Sequence, residues 1–198
     1  MTAALDLPDR QDWTVDDLAS LPKDLRYELV DGRLILPSPT ALHQDLGVEV
    51  LLALRANCPP DLMPVLDLSL RVNRRNEPRP DVVVVRPDHV DRSPLPVEDV
   101  VLAVEVISPD SIFRDMYAKA KVYAAAGVQR YWVIDPLHDG ITLTEFVPGP
   151  DGGYEISGHT DGVFTTEDPY PVTVDLPALT ARRRAMLARA RAEVPPRS

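Results

Sequence analysis

"DVVVV" (residues 81–85) and "VVLAVEVIS" (residues 100–108) decide the fold. Both are continuous apolar runs of strand length, rich in β-branched valine, the pattern of strands packed on both faces. Each carries one carboxylate: Asp81 opens the first run and Glu105 interrupts the second. A buried, ionised carboxylate without a partner is strongly unfavourable. The Pro-rich loop 87–99 joins the two runs. If they pair antiparallel around it, the centre falls near Ser93, with Asp81 twelve residues before and Glu105 twelve after. Opposite residues in such a pair have Cβ atoms roughly 4.5–5.5 Å apart. Two like charges that close repel, so one acid keeps a proton or a cation lies between them. A hard divalent ion resolves this, since Mg²⁺ is commonly held by one or two carboxylates together with waters. The alternative is an Asp81 at a strand end in solvent and a Glu105 paired with an arginine.

Outward from this pair, strand and helix patterns interleave, which indicates an α/β chain with a central sheet flanked by helices. "DWTVDDLASLP" predicts a short helix with Thr14 as N-cap and Asp17 three residues on. "LRYELVDGRLILP" predicts an N-terminal β-hairpin turning at Asp31-Gly32. "SPTALHQDLGVEVLLALRAN" predicts a helix with the stripe Leu42, Leu46, Val50, Ala53 and Leu54, and "MPVLDLSLRV" one alternating strand. "SPDSIFRDMYAKAKVYAAAG" predicts a helix capped by Ser111 and ended by Gly127. "QRYWVID" predicts a buried strand with Tyr131 and Trp132 in the core, and Asp135 before Pro136 a turn residue. "ITLTEFVP" and "GGYEIS" predict a hairpin, and the chain closes on an arginine-bearing helix.

With 44% hydrophobic residues and no linker or repeat, the 198 residues suit one domain over 1–198, with frayed ends at 1–13 and 193–198. The net charge of −10 argues against broad, unspecific polyanion binding but leaves room for a local basic groove. The five arginines of "TARRRAMLARARA" read as a solvated helix face. The single cysteine, Cys58, excludes an internal disulfide and a multi-cysteine zinc site, and suits a reducing compartment. The N-terminus lacks the basic start and apolar core of a signal peptide, and no apolar run approaches the roughly 18 residues of a membrane span. A cytoplasmic protein without membrane contact is expected.

On the helix after Glu105, Asp115, Lys119 and Tyr123 recur at four-residue spacing and share one face. Lys121 lies about 200° around from Lys119, so only one of the two lysines can face the sheet. An ordinary surface pair between Asp115 and Lys119 is the competing reading. His43 opens a helix and is a weaker candidate; His89, His138 and His159 lack metal-ligand spacing.

"RPDVVVV", "VVLAVEVISPDS" and "RDMYAKAKVYAAAGVQRYWVIDP", in this order, resemble the Uma-type restriction-endonuclease-like proteins, a branch of the PD-(D/E)XK nuclease superfamily. "YELVDGRLILPSPTALHQ" resembles the same family's opening motif, and the similarity spans roughly residues 14 to 180. The resemblance implies a restriction-endonuclease-like core with a central mixed β-sheet, cleavage of DNA phosphodiester bonds dependent on Mg²⁺ or Mn²⁺, and a homodimer. It assigns Asp81 to the motif's aspartate and Glu105 to its second acid. The motif's lysine would fall on Ile107, and the pattern D-x-x-x-K-x-x-x-Y moves it to Lys119. Glu28 matches an acid on the first hairpin and is a further metal ligand; His43 matches a family histidine. The implied catalytic set is Asp81, Glu105 and Lys119, with Glu28 and His43 as additions. A nuclease fold that binds nucleic acid or protein without turnover is the alternative.

Overall fold

The two valine runs sit at the middle of the molecule, a computed structural model that describes residues 10–22 and 25–192. In chain order the elements are α1 (Val15–Leu18), β1 (Glu28–Val30), β2 (Arg33–Ile35), α2 (Ala41–Arg55), β3 (Met63–Leu66), β4 (Leu70–Arg71), β5 (Val82–Val85), β6 (Leu95–Pro96) and β7 (Val100–Val106). A π-helix (Arg114–Lys119) then runs into α3 (Ala120–Ala125), followed by β8 (Arg130–Asp135), β9 (Thr142–Pro148), β10 (Tyr154–Thr160), β11 (Val163–Thr166), β12 (Val172–Asp175) and α4 (Leu176–Ala192).

The central sheet is six-stranded and mixed, in the order β10-β9-β8-β7-β5-β3, with β7–β8 its parallel pair. In the β5–β7 ladder Val82 faces Val104, Val83 faces Ala103 and Val84 faces Leu102; a bulge then sets Val85 against Val100. Continued by one residue, this register sets Asp81 against Glu105, as the loop centre at Ser93 predicts. The bulge disturbs only the end nearest the loop.

Strand alternation sorts the two runs between two cores. Val82, Val84, Leu102, Val104 and Val106 pack against Leu46, Val50 and Leu54 of α2. Val83, Val85 and Ala103 pack on the other face, with Ala120 and Tyr123 of α3. Glu105 shares the face of Ala103, so its carboxylate points toward the π-helix and α3. The N-terminal hairpin is a separate antiparallel pair, turning at Asp31 (φ 50°) and Gly32 (φ 76°). Both positive φ values belong to the turn type that Asp-Gly favours. The Thr14–Asp17 capping box starts α1, and Gly127 (φ 78°) follows α3.

Four expectations change. "MPVLDLSLRV" is two strands in different sheets, because the backbone reverses at Asp67 (φ 54°). The helix starts directly after Ser111 as expected, with Ile112 and Phe113 helical and the Asp115 N–H donating to the Ser111 carbonyl at 2.9 Å. It then widens into a π-helix over Arg114–Lys119, and Ser111 Oγ accepts the Ser108 N–H at 2.9 Å instead of capping the first turn. The arginine helix is not wholly solvated: Arg183 is buried and donates to the carbonyls of Pro136, His138 and Asp139. Fraying over 1–13 does not extend to Trp13, which is buried with Leu18, Leu21 and Leu29. Residues 1–9 and 193–198, the rest of the expected frayed ends, lie outside the described residues. No helix among the described residues is long and apolar enough to cross a membrane.

Candidate active site

A cleft of about 640 Å³ opens where the N-terminal hairpin, the start of α2, the ends of β5 and β7 and the π-helix meet. Glu28, His43, Asp81, Glu105 and Lys119 all line it, so the structure brings the five sequence-predicted residues to one place. Lys121 is exposed on the far side of the helix.

Lys119 is the hub. Its Nζ lies 2.7 Å from Glu28 Oε2, 2.9 Å from Glu105 Oε2 and 3.6 Å from Asp115 Oδ1, with only 3% of the side chain exposed. Burial alone works against the ammonium, but Glu105, Glu28 and Asp115 more than offset it and hold Lys119 above the ordinary lysine range. Burial pushes the Glu105 carboxyl well up; Lys119 draws it back, while Asp115, Asp81 and Glu28 push further. Asp115 is raised too, again chiefly by burial. Tyr123, kept protonated by burial and the nearby Glu105 charge, donates to Glu105 Oε1 at 3.1 Å.

Asp81 is fixed through a backbone amide. Its Oδ2 accepts the Val106 N–H at 2.7 Å, while the Val106 carbonyl lies 2.7 Å from His43 Nε2. A carbonyl can only accept, so His43 Nε2 carries a proton; the same nitrogen is 3.4 Å from Asp81 Oδ2. Burial lowers the imidazole's basicity, but Asp81 and the Val106 carbonyl outweigh it and leave His43 raised. The Val106 peptide is thus pinned at both ends beside Glu105.

Arg114 was not singled out in the sequence. Its Nε lies 3.2 Å from Glu28 Oε1 and 3.6 Å from Asp115 Oδ1. A π-helix closes its turn between residues five apart. That wide turn sets Arg114 and Lys119 on the same side, where both reach Glu28. Spacing analysis at 3.6 residues per turn could not find this arginine.

The cluster therefore gathers four carboxylates (Glu28, Asp81, Glu105, Asp115) around two permanent cations, Lys119 and Arg114, with Asp115 Oδ1 buried and lacking a hydrogen bond. It is short of positive charge before His43 is counted. Glu28, Asp81, Glu105 and Asp115 line the cleft, and their carboxylate oxygens are the hard donors that Mg²⁺ or Mn²⁺ takes. Among the described residues no group of three or more His, Cys, Asp or Glu is arranged to hold a metal unaided. Two carboxylates completed by water is the ordinary arrangement for Mg²⁺, so the residues fit such an ion.

The profile of the Uma2 family, described as "Putative restriction endonuclease", matches residues 15–180. Four solved chains match the structure. One is a "putative nuclease belonging to DUF820" from Anabaena variabilis, at TM-score 0.68 and 18% identity over 85% of this chain and 97% of that one. At that identity the likeness establishes the shared fold. A comparison with curated proteins yields no match.

Proposed function

The chain belongs to the Uma2 family, and from that premise we propose that it is a divalent-metal-dependent endonuclease that hydrolyses DNA phosphodiester bonds. The observation that carries the proposal is that Asp81, directly before β5, and Glu105, near the end of the neighbouring β7, line one cleft within a cluster short of positive charge.

Asp81 and Glu105, with the Val106 carbonyl, would hold Mg²⁺ or Mn²⁺, and Glu28 is placed to support a second ion or a water. Such an ion, when bound, supplies Lewis-acid polarisation of the phosphate and lowers the pKa of water. The chain's own groups do the rest. Lys119 is held as an ammonium, so it serves as a hydrogen-bond donor and countercharge, not as general base: it orients water and stabilises charge developing on the phosphate. Tyr123 fixes the rotamer of Glu105 through its hydroxyl. His43 and Asp81 together lock the Val106 peptide and so the direction of the strand end. The proposal includes one domain over the chain, a homodimer and a cytoplasmic location.

One observation favours the alternative of a nuclease fold that binds without turnover: Lys119 already engages both Glu28 and Glu105. Strand cleavage of plasmid and linear DNA with Mg²⁺ or Mn²⁺, alongside Mn²⁺ titration calorimetry, separates the two. Cleavage lost in Glu105→Gln and in Lys119→Met, with Mn²⁺ binding kept in Lys119→Met, supports the nuclease. Absence of cleavage by the wild-type protein on every DNA form overturns it.

A further inference from the structure

Two arginines line the same cleft as the acids, and each stands two residues before one of them: Arg26 before Glu28 and Arg79 before Asp81. That spacing puts side chains on the same side of an extended chain, one repeat apart. The cleft therefore carries a layer of carboxylates and, beside it, a layer of guanidinium groups.

Asp67 stands between the two arginines. Its Oδ1 lies 2.6 Å from Arg26 Nη2 and 3.6 Å from Arg79 Nη1, and its backbone carbonyl accepts from Arg79 Nη1 at 2.8 Å. The backbone that delivers it has φ 54°, a conformation uncommon for any residue but glycine and tolerated best by Asn and Asp. Arg79 Nε is buried and lacks an acceptor. Arg79 is held by the Asp67 backbone carbonyl and, at ion-pair distance, by its carboxylate, with one donor left over; a planar guanidinium fork lining a cleft is suited to bidentate recognition of phosphate.

Building on the nuclease reading above, we propose that Arg26 and Arg79 form an anchoring subsite for a backbone phosphate neighbouring the one that is cleaved, and that Asp67 is an internal stand-in for that phosphate. In the free protein the Asp67 carboxylate occupies the position between the guanidinium groups and keeps them ordered. Bound DNA displaces it, and the two arginines exchange a carboxylate oxygen for phosphate oxygens. One strand then runs from the arginine layer to the acid layer, which fixes which phosphodiester reaches Lys119.

The test is fluorescence anisotropy of a short fluorescein-labelled DNA duplex in EDTA over a series of salt concentrations. It compares the wild type with Arg26→Gln, Arg79→Gln and Asp67→Asn, each also melted. Each arginine variant should weaken binding about tenfold and make the salt dependence shallower by about one phosphate contact. Asp67→Asn keeps a residue that tolerates positive φ and removes the competing charge, so it should bind more tightly than the wild type. If the trio is only a structural ion-pair cluster, Asp67→Asn lowers the melting temperature without tightening binding, and the proposal is overturned. Unchanged affinity in both arginine variants, or no DNA binding by the wild type, overturns it as well. Cleavage with Mn²⁺ is a separate readout: binding as expected without cleavage sinks the nuclease reading and leaves the subsite, whereas cleavage with indifferent arginine variants does the reverse.

Discussion

Replacing Lys119 by methionine keeps most of the side-chain volume and removes the charge. Three buried carboxylates, Glu28, Glu105 and Asp115, then lose the ammonium that stands 2.7, 2.9 and 3.6 Å from them. Arg114, with about a quarter of its side chain exposed, is the fixed cation left among them. Removing one partner of a buried ion pair typically destabilises by about 3–5 kcal/mol. For a chain of this size that corresponds to a melting temperature lower by roughly 6–20 °C. Glu105 and Asp115, both already raised by burial, relieve part of the loss by taking up protons, so the deficit should shrink at acidic pH and widen as pH rises. Lys121→Met alters an exposed position and should stay within about 0.5 kcal/mol of wild type. Calorimetric melting of both variants in EDTA at several pH values gives the comparison. Adding Glu28→Gln and Glu105→Gln to Lys119→Met should recover most of the loss, because the uncompensated charges go with their partner. A Lys119→Met protein as stable as the wild type, or a Lys121→Met protein that is the weaker of the two, refutes the assignment of Lys119 as the counter-ion of the cluster.

Metal-free protein should lose stability as pH rises above the ordinary carboxylate range. Glu105 is raised, chiefly by burial, and a group with a raised folded pKa contributes stability that is complete below its unfolded pKa and lost as pH climbs through the folded one. Melting curves of the wild type and Glu105→Gln in EDTA check this, and a slope unchanged by the substitution counts against it. Asp81→Asn preserves an acceptor for the Val106 N–H and should fold normally, yet fail to bind Mn²⁺ in titration calorimetry. Tyr123→Phe deletes the donor to Glu105 and should destabilise by about 1–2 kcal/mol, read from urea unfolding; an equal loss in the Glu105→Met background, which has no acceptor oxygen, would mean the hydroxyl acts elsewhere.

The centre of the fold was legible because valine runs leave few alternatives. Apart from Glu105, Val82–Val85 and Val100–Val106 are apolar on both faces, and a loop of fixed length sets their register to within one bulge. The breaks were harder to read. "MPVLDLSLRV" keeps its alternation straight through Asp67, and nothing in composition marks a positive φ at an aspartate. The β11–β12 pair escaped notice because its strands are short and alternate with exposed polar residues. Among five arginines of α4, only the folded chain distinguishes Arg183, whose guanidinium ties down the carbonyls of the β8–β9 loop.

The acids of the site were legible for a different reason: a carboxylate inside an apolar strand demands an explanation, and Asp81 and Glu105 demand the same one. The cations were only half legible. Spacing puts Lys119 on one face with Asp115 and Tyr123, and the resemblance to the family pattern picks it as the site lysine, but at about 100° per residue Arg114 would sit some 140° away from Lys119 on an α-helix. It would then face away from Glu28. The π-turn removes that separation, and Glu28 meets both cations, one on each carboxylate oxygen. A wide turn is strained relative to an α-helix and persists where tertiary contacts over-determine it. Here those contacts are the ion pairs themselves, together with the Tyr131 hydroxyl donating to the Asp115 carbonyl at 2.6 Å. The charge cluster and the irregular helix are therefore one feature: the acids on the strands call for two cations at a spacing that an α-helix cannot present.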